Sequence, residues 1–479
     1  MTGHDDNEYR RQRLAKLEQL AEMGIRPAAR SLDRTGDLAQ VRSGYAEGRQ
    51  VAVAGRLTTL RDMGKSLFAD LRDGSGRLQI YVQRDQLGPE GYRAFKLLDL
   101  GDQIGVTGSL FTTRTGEQTV KVAGWSLLAK ALRPLPEKWH GLKDVETRFR
   151  QRYLDLIANP EVRELFNRRS RMLSVIRAYL EARGFQEVET PMMQPHAGGA
   201  AAKPFVTRFS ALGSDMYLRI APELYLKRLL VGGFEKIFEL NRNFRNEGLS
   251  RTHNPEFTML EVYQAYTDVR GMQELIQDLI PCAAREVFGT LRVGSDACPV
   301  DLTPPWREVR YRDLLREKMG ADWYDTPVAE ARRRAEALDL TVDPSWDHVL
   351  IGHEVYEKTI ERTLVQPTFV TRLPAALIPL ARACDDDPAS ADVFELVIGG
   401  TEIAPGYTEM NDPLEQRRRL AIQVGHDPEK ADEDFLTALE HGMPPAGGMG
   451  VGIDRLLMVL SGAESIRDVI LFPQLREKA

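Results

Sequence analysis

Between Gln50 and about Lys130 the chain carries five short runs of β-type residues, and no other feature limits its possible folds so sharply. The runs are Val51–Leu57, Ser66–Leu71, Arg77–Val82, Gln103–Phe111 and Thr119–Leu128. Asp73-Gly74 and Thr115-Gly116 stand between strands as turn signals, and a helical stretch, Pro89 to Leu98, separates the third run from the fourth. Five short strands with one helix point to a small β-barrel of the OB-fold type, a common oligonucleotide-binding module.

Ahead of this block, Glu8 to Met23 reads as a helix. Leu14, Leu17, Leu20 and Met23 recur at helical spacing, and Gly24 with Pro27 supplies the stop. Its Arg10, Arg11, Arg13 and Lys16 fit either a solvated arm or one that touches nucleic acid. After the block, Ala131 to Pro136 reads as a linker, because its two prolines disfavour helix and strand interiors. The rest is mixed, with helices over Arg163–Arg183 and Asp268–Phe288 and strand-like runs at Lys236–Leu240, Phe257–Tyr266 and Phe394–Ile403. Strands and helices do not alternate regularly, which favours an antiparallel sheet flanked by helices and an α+β class. The expected boundaries are a helical arm over 1–49, the barrel over 50–133, a linker over 134–160 and a large domain over 161–479.

Charge looks unhelpful until it is divided. The 479 residues sum to −6, which argues against a chain coated in basic surface. Residues 51–135, however, hold 12 Lys or Arg against 8 Asp or Glu, so a basic module precedes a body near −10. Cys282, Cys298 and Cys384 are widely spaced with no CxxC pair, which disfavours a disulfide framework or a structural zinc site. No stretch approaches the ~20 apolar residues that span a bilayer, and the N-terminus lacks the apolar run of a signal peptide. A reducing, cytoplasmic setting without a membrane partner is the expectation.

Phosphate-binding loops are the first chemistry to test. Gly64-Lys65-Ser66 resembles the end of a P-loop, but Thr59 occupies the position of the required first glycine. No GxGxxG opens a helix. Three polar clusters remain. Phe238 to Tyr266 places Arg242, Arg245, Glu247, Arg251, His253 and Asn254 in a loop between strand-like segments. Arg245 suits an α-phosphate and Phe257 suits a stacked base, while a salt-bridged hairpin accounts for this cluster equally well. Val393 to Asp412 carries Glu395 and Glu402 across an Ile-Gly-Gly kink, where two carboxylates can converge on Mg²⁺, followed by Glu409, which suits a cationic substrate. Pro444 to Gly462 is a glycine run that lets backbone approach a ligand, followed by a helix with Asp454 and Arg455 in its first turn, a second phosphate clamp.

Taken together, the clusters resemble the class II aminoacyl-tRNA synthetases. Gly184–Met193 (GFQEVETPMM) is similar to motif 1, Phe244–Gly248 (FRNEG) through Phe257 to motif 2, and Gly448–Arg455 (GMGVGIDR) to motif 3. An OB module ahead of these motifs is the order of the subgroup charging lysine, aspartate and asparagine. Arg152–Ile157, Ala197–Ala200, Tyr217–Gly248 and Gln366–Phe369 are most similar to its lysyl-tRNA synthetase family. An acidic and aromatic pocket suits lysine on physical grounds as well, since its ε-ammonium needs an anionic contact and aspartate a cationic one.

The resemblance implies a lysine–tRNA ligase that makes lysyl-adenylate and pyrophosphate from L-lysine and ATP, then transfers lysine to the 3′-terminal adenosine of tRNA(Lys). It implies ATP contacts from Arg245, Glu247, His253, Asn254, Phe257, Glu395, Glu402 and Arg455, with Mg²⁺ on Glu395 and Glu402. Adenine would lie between Phe257 and Arg455, which also holds the γ-phosphate. Arg245 and Arg455 are the expected catalytic pair. Lysine would meet Glu223 at its α-amino group, Arg245 at its carboxylate, and Glu409 with Tyr263 at its ε-ammonium, with Glu261 and Tyr407 completing the pocket. Glu409 is the expected specificity residue. Motif 1 implies a homodimer. In the barrel, Phe68 is expected to stack an anticodon base and Gln79 to read a base edge, with Arg56 and Arg61 near the backbone. The chain departs from the family in three places: Ala404 and Pro405 precede Gly406 where Asn-Gly is usual before the pocket aromatic, Ile378 stands in place of Ser, and Gly124 in place of Glu. The intact set Arg245, Glu247, Glu395, Glu402 and Arg455 argues against a silent paralogue that only binds tRNA.

Overall fold

A computed structural model describes residues 3–27, 32–135, 142–200, 202–295, 298–423 and 432–476. The chain divides into two compact units, Met1–Asp144 with Tyr153–Ala158 and Val145–Arg152 with Asn159–Ala479.

The first unit is a closed five-stranded barrel. Its strands are β1 (Gln50–Asp62), β2 (Ser66–Arg72), β3 (Arg77–Gln83), β4 (Gln103–Thr112) and β5 (Gln118–Ala129), in the order β1-β2-β3-β5-β4. Closure comes from β1 against β4, and β3 and β5 pair in parallel. Side chains alternate along β1, so Val51, Val53 and Leu57 enter a core shared with Ile80, Val106 and Val122. Gly108 sits at a bulge where β4 meets β5, and a Cβ there would fall 2.0 Å from the Lys121 carbonyl. The helix expected over Pro89–Leu98 runs over Arg84–Phe95 and breaks at Gly88, whose φ is 75°.

The N-terminal helix spans Gly3–Glu22 and plugs this barrel with Leu20. Arg13 is buried and donates to the carbonyls of Ala131 and Arg133, while Lys16 pairs with Asp99 at 2.6 Å. Those two cations tie the helix to the barrel unit; Arg10 and Arg11 lie exposed on the same helix.

The expected linker over 134–160 is partly helical, with helices at Val145–Arg150 and Arg152–Ala158; its residues 136–141 lie outside the described residues. Within the second unit, the buried guanidinium of Arg152 donates to the carbonyls of Arg467, Ile470 and Leu471.

In the second unit the strands are β6 (Gln186–Glu187), β7 (Met193–Gln194), β8 (Val206–Phe209), β9 (Ser214–Leu218), β10 (Lys236–Phe244), β11 (Glu256–Ala265), β12 (Arg292–Ser295), β13 (Cys298–Asp301), β14 (Arg307–Arg310), β15 (Thr368–Thr371), β16 (Val393–Ile398), β17 (Thr401–Thr408) and β18 (Ala446–Gly452). Eight of them make one sheet, β14-β15-β16-β17-β18-β11-β10-β6, antiparallel except for the pair at each edge. The Phe394–Ile403 run is therefore a hairpin, turned at Gly399 (φ 63°) and Gly400 (φ 70°). One face of the sheet packs on the helices Pro160–Glu181, Val269–Phe288 and Ile453–Ser461 through Ile176, Ile276, Leu396, Met449 and Leu457. A smaller core around Trp323, Tyr311 and Tyr356 supports the segment between β14 and β15.

Candidate active site

The other face of the sheet is the site. Along β18 the sequence alternates Gly448, Met449, Gly450, Val451, Gly452. Met449 and Val451 are buried in the core, so the glycines face the opposite way and form a floor without side chains. Gly448 lies between Tyr407 of β17 and Tyr263 of β11, and a Cβ on it would fall 2.0 Å from Glu409 Oε1 and 2.6 Å from the Tyr263 ring. At Gly450 a Cβ would strike the end of Met259.

Two cavities lie over this floor. The first, about 540 Å³, is lined by Arg245, Glu247, His253, Asn254, Phe257, Glu402 and Arg455 with Glu357, Glu361, Pro405 and others. The second, about 410 Å³, is lined by Glu223, Arg245, Glu261, Tyr263, Tyr407, Glu395 and Glu402, together with Gly198, Gly199, His353, Ile378 and others. Arg245, Met259, Glu402 and Pro405 border both. The two cavities thus share a wall that includes Arg245.

Arg245 opens the loop between β10 and β11, which is closed by Arg245 N–H donating to the Pro255 carbonyl. Its guanidinium lies over the Phe257 ring at 5.2 Å, and its Nε is buried without a hydrogen-bond partner. A buried donor left open beside two cavities is a place for an anionic oxygen. Arg455, at the start of the Ile453–Ser461 helix, donates to Glu402 and to His253 Nε2. Next to it, Asp454 holds the helix start in place: it accepts from the Thr258 N–H and pairs with Arg169 at 2.6 Å. Asn254 lines the cavity, but its amide is committed at both ends, to the Glu256 carbonyl and the Gln474 N–H. Those two bonds seat the C-terminal segment beside the cavity.

Glu395 and Glu402 stand on adjacent strands beside a bulge at Leu396/Val397, and Glu361, absent from the three polar clusters, joins them by accepting from the Glu402 N–H. Burial, then the neighbouring Glu402 and Glu361, hold Glu395 well above the usual carboxylate range, and Glu361 is pushed up to about 7 by burial and Glu402. Among the described residues no three His, Cys, Asp or Glu side chains form a metal site by themselves. A pair of crowded carboxylates does fit a hard divalent cation that takes its other ligands from phosphate and water.

The smaller cavity is rich in carboxyls. Tyr263 donates to Glu261 at 2.9 Å, and burial, then Glu223, push Glu261 up to about 8. Glu409 is outside the present cavity lining but stands on the floor side of Gly448, fully buried against Tyr263, with Oε2 2.5 Å from Lys227 Nζ and neither carboxylate oxygen in a hydrogen bond. Lys227 is likewise buried and pairs with Glu223 at 2.7 Å. Sequence reasoning passed over Lys227; its spacing of four from Glu223 on one helix was the available signal.

On the barrel, Arg61, Phe68, Tyr81 and Lys121 are successive cross-strand partners through β1, β2, β3 and β5. The Phe68 and Tyr81 ring centroids lie 4.6 Å apart, and Phe111 lies 5.8 Å from Tyr81. The next row holds Thr59, Asp70, Gln79 and Thr119, with Thr119 Oγ1 donating to Gln79 Oε1 at 3.0 Å. Half-buried aromatics flanked by cations form a stacking surface, and Gln79 lies beside it. Arg56 is turned to the Gly101 carbonyl, 2.8 Å away.

Residues 144–476 match the family described as tRNA synthetases class II (D, K and N), and residues 51–128 match the OB-fold nucleic acid binding domain. A lysine–tRNA ligase of Moorella thermoacetica is 50% identical over 482 residues, covering 99% of each chain. One from Carboxydothermus hydrogenoformans is 48% identical over 490 residues and covers all of both chains, and one from Bacillus subtilis is 46% identical over 496 residues, 99% of each. No described helix is long and apolar enough to cross a membrane.

Proposed function

The chain belongs to the class II tRNA synthetases of the aspartate, lysine and asparagine group, and from that premise we propose that it is a lysine–tRNA ligase whose pocket selects lysine by charge balance. The observation that carries this reading is the buried set itself. Glu223, Glu261 and Glu409 outnumber Lys227 and Arg245, and Glu395 and Glu402 on the same wall add further carboxyls, so the site is acidic in excess. Free lysine brings one net positive charge to it; aspartate would add a negative one, and asparagine none. A desolvated site with charge left over is costly, so the balance discriminates among the three substrates of the group.

Lysine enters with its carboxylate at Arg245, its α-amino group at Glu223 and its ε-ammonium toward Glu261, Tyr263 and the open Oε1 of Glu409. Tyr407 walls the alkyl stem. Pro405 offers no side-chain donor to the substrate carboxylate, and the unpaired Nε of Arg245 supports that residue as the one that holds it. ATP occupies the larger cavity, with its base on Phe257 and its phosphates between Arg245 and Arg455; His253 and Glu247 border it. The lysine carboxylate is ionised at neutral pH and attacks the α-phosphorus without a general base, expelling pyrophosphate. What these residues contribute is alignment across the shared wall and neutralisation of phosphoryl charge by two guanidiniums. Glu395 and Glu402 would hold Mg²⁺, which supplies further neutralisation of the phosphate oxygens when bound.

The acyl group then passes to the terminal adenosine of tRNA(Lys), whose anticodon lies on the Phe68–Tyr81 face with Gln79 at a base edge. Arg61 and Lys121, which flank the rings, are better supported for backbone contact than Arg56. A homodimer through motif 1 is supported by the exposed apolar side chains of Met193, Val206, Phe209 and Leu212 beside it. The reaction belongs in the cytoplasm, where tRNA and ATP are.

Amino-acid-dependent ATP–pyrophosphate exchange across the twenty amino acids tests the assignment. Exchange with lysine alone, followed by lysylation of tRNA(Lys), is the expected result. Exchange only with aspartate or asparagine would overturn the choice of lysine, and no exchange at all the enzyme.

A further inference from the structure

Lys227 has no part in the division of labour above, yet it is the most completely enclosed charge beside the amino-acid cavity. It lies on the helix Glu223–Val231 and is fully buried. Two of its N–H groups go to Glu223 Oε1 at 2.7 Å and to the Leu380 carbonyl at 3.2 Å. Glu409 Oε2 lies 2.5 Å away as an ion pair outside hydrogen-bond geometry. Burial opposes its charge, but Glu223 and Glu409 outweigh burial and hold it up at about 12, so it stays an ammonium. With three protein oxygens around it, this ammonium has nothing left to offer a ligand.

Its partners are the two carboxyls that the functional reading gives to opposite ends of the substrate. Each is fixed from a second side. Glu223 stands against the Gly198-Gly199 turn, where a Cβ on Gly199 would fall 3.3 Å from Glu223 Cβ. Glu409 is packed against Gly448 and Tyr263, and its N–H donates to the Ala446 carbonyl. The Leu380 carbonyl that Lys227 holds also accepts from the Met410 N–H, so one ammonium ties the helix, the end of β17 and the segment before Ala381 together.

Resting on that reading, we propose that Lys227 is a positioning residue that sets the spacing between Glu223 and Glu409 and thereby measures the length of the substrate side chain. By taking one oxygen of each carboxyl it leaves the other oxygen of each for a substrate ammonium. Glu223 then serves the near end and Glu409 the far end, so the spacing that Lys227 fixes between them decides how long a side chain can be held at both. Ornithine, one methylene shorter, cannot reach both.

The test uses the full-length protein carrying Lys227→Met or Lys227→Gln, assayed by ATP–pyrophosphate exchange with L-lysine and with L-ornithine. Discrimination by one methylene is worth about 10–200-fold in kcat/KM. The expected result is a lysine-to-ornithine kcat/KM ratio that falls by about 10-fold or more, through a raised lysine KM, with KM for ATP within about 2-fold of the parent. A ratio that stays at the parent value, with both amino acids slowed alike, would make Lys227 a structural residue only and overturn the proposal. Lys227→Gln keeps two N–H donors and carries the test should the methionine variant not fold. A parent enzyme that activates some other amino acid but not lysine would instead overturn the functional reading on which the ruler rests.

Discussion

Arg455 Nη2 lies 2.9 Å from His253 Nε2, while Nη1 of the same guanidinium reaches Glu402. A guanidinium only donates, so Nε2 accepts and the ring proton resides on Nδ1, aimed at Ser250 Oγ at 2.8 Å. Burial, then the charge of Arg455, holds His253 below its ordinary 6.5. The neutral ring is therefore the form this arrangement stabilises, and its contribution is complete above 6.5 and lost as pH falls through the depressed value. KM for ATP is expected to rise several-fold on the acid side of 6.5, and His253→Gln, which keeps an acceptor that does not titrate, to flatten that rise. A pH profile of KM for ATP in both proteins decides it; identical acid limbs would remove His253 from the nucleotide site.

Glu261 gives a second pH effect of opposite sign. Its carboxyl, raised to about 8 by burial and Glu223, is mostly protonated in the free pocket at neutrality. A substrate ammonium favours the ionised form, so lysine binding at pH 7 should release up to about one proton. Calorimetry in buffers of different ionisation enthalpy measures this directly. Glu261→Gln should bind lysine more weakly and release none. Because the folded value is raised, the stability associated with this group is complete below 4.5 and lost as pH rises through about 8.

Gly448→Ala places a methyl where Glu409 Oε1 and the Tyr263 ring already stand. Overpacking of this kind costs about 1–3 kcal/mol, which a lowered Tm would report. Lysine KM should rise by about 10-fold or more, with adenine binding on Phe257 little changed. Normal lysine activation in this variant would show that the floor of the pocket yields easily.

Phe68→Ala and Tyr81→Ala should separate the two units functionally. Stacking on one aromatic is worth about 1–3 kcal/mol per base, so each substitution should weaken tRNA binding by about 10-fold or more. Lysine-dependent ATP–pyrophosphate exchange should be unaffected. Filter binding with tRNA(Lys), alongside exchange assays, provides both readings, and unchanged tRNA affinity would move the anticodon off this face.

The barrel was legible because its signal is local: alternation at period two, turn residues between strands and one helix are written in consecutive residues. The three polar clusters were legible for the same reason, each being a short run around a strand end. What could not be read were partnerships between distant segments. Lys227 meets Glu409 across 182 positions of sequence, and Arg152 finds its carbonyls more than 300 residues away. Glu361 is presented to Glu402 by a single turn of π-helix and the 3₁₀ turn after it, backbone forms that leave no periodic trace. Tyr81 was hidden by the neighbours it shares a run with, since only cross-strand register shows that it faces Phe68. Asn254 shows the converse: its place in the motif was plain, and its two backbone partners were not.

One consequence of β18 concerns how the sheet is assembled. A shift of its pairing by a single residue would turn Met449 and Val451 into the cavity and the glycines into the core. The misaligned strand would close the binding site and hollow out the hydrophobic interior at once. Errors of alignment in this sheet are thus both unstable and inert.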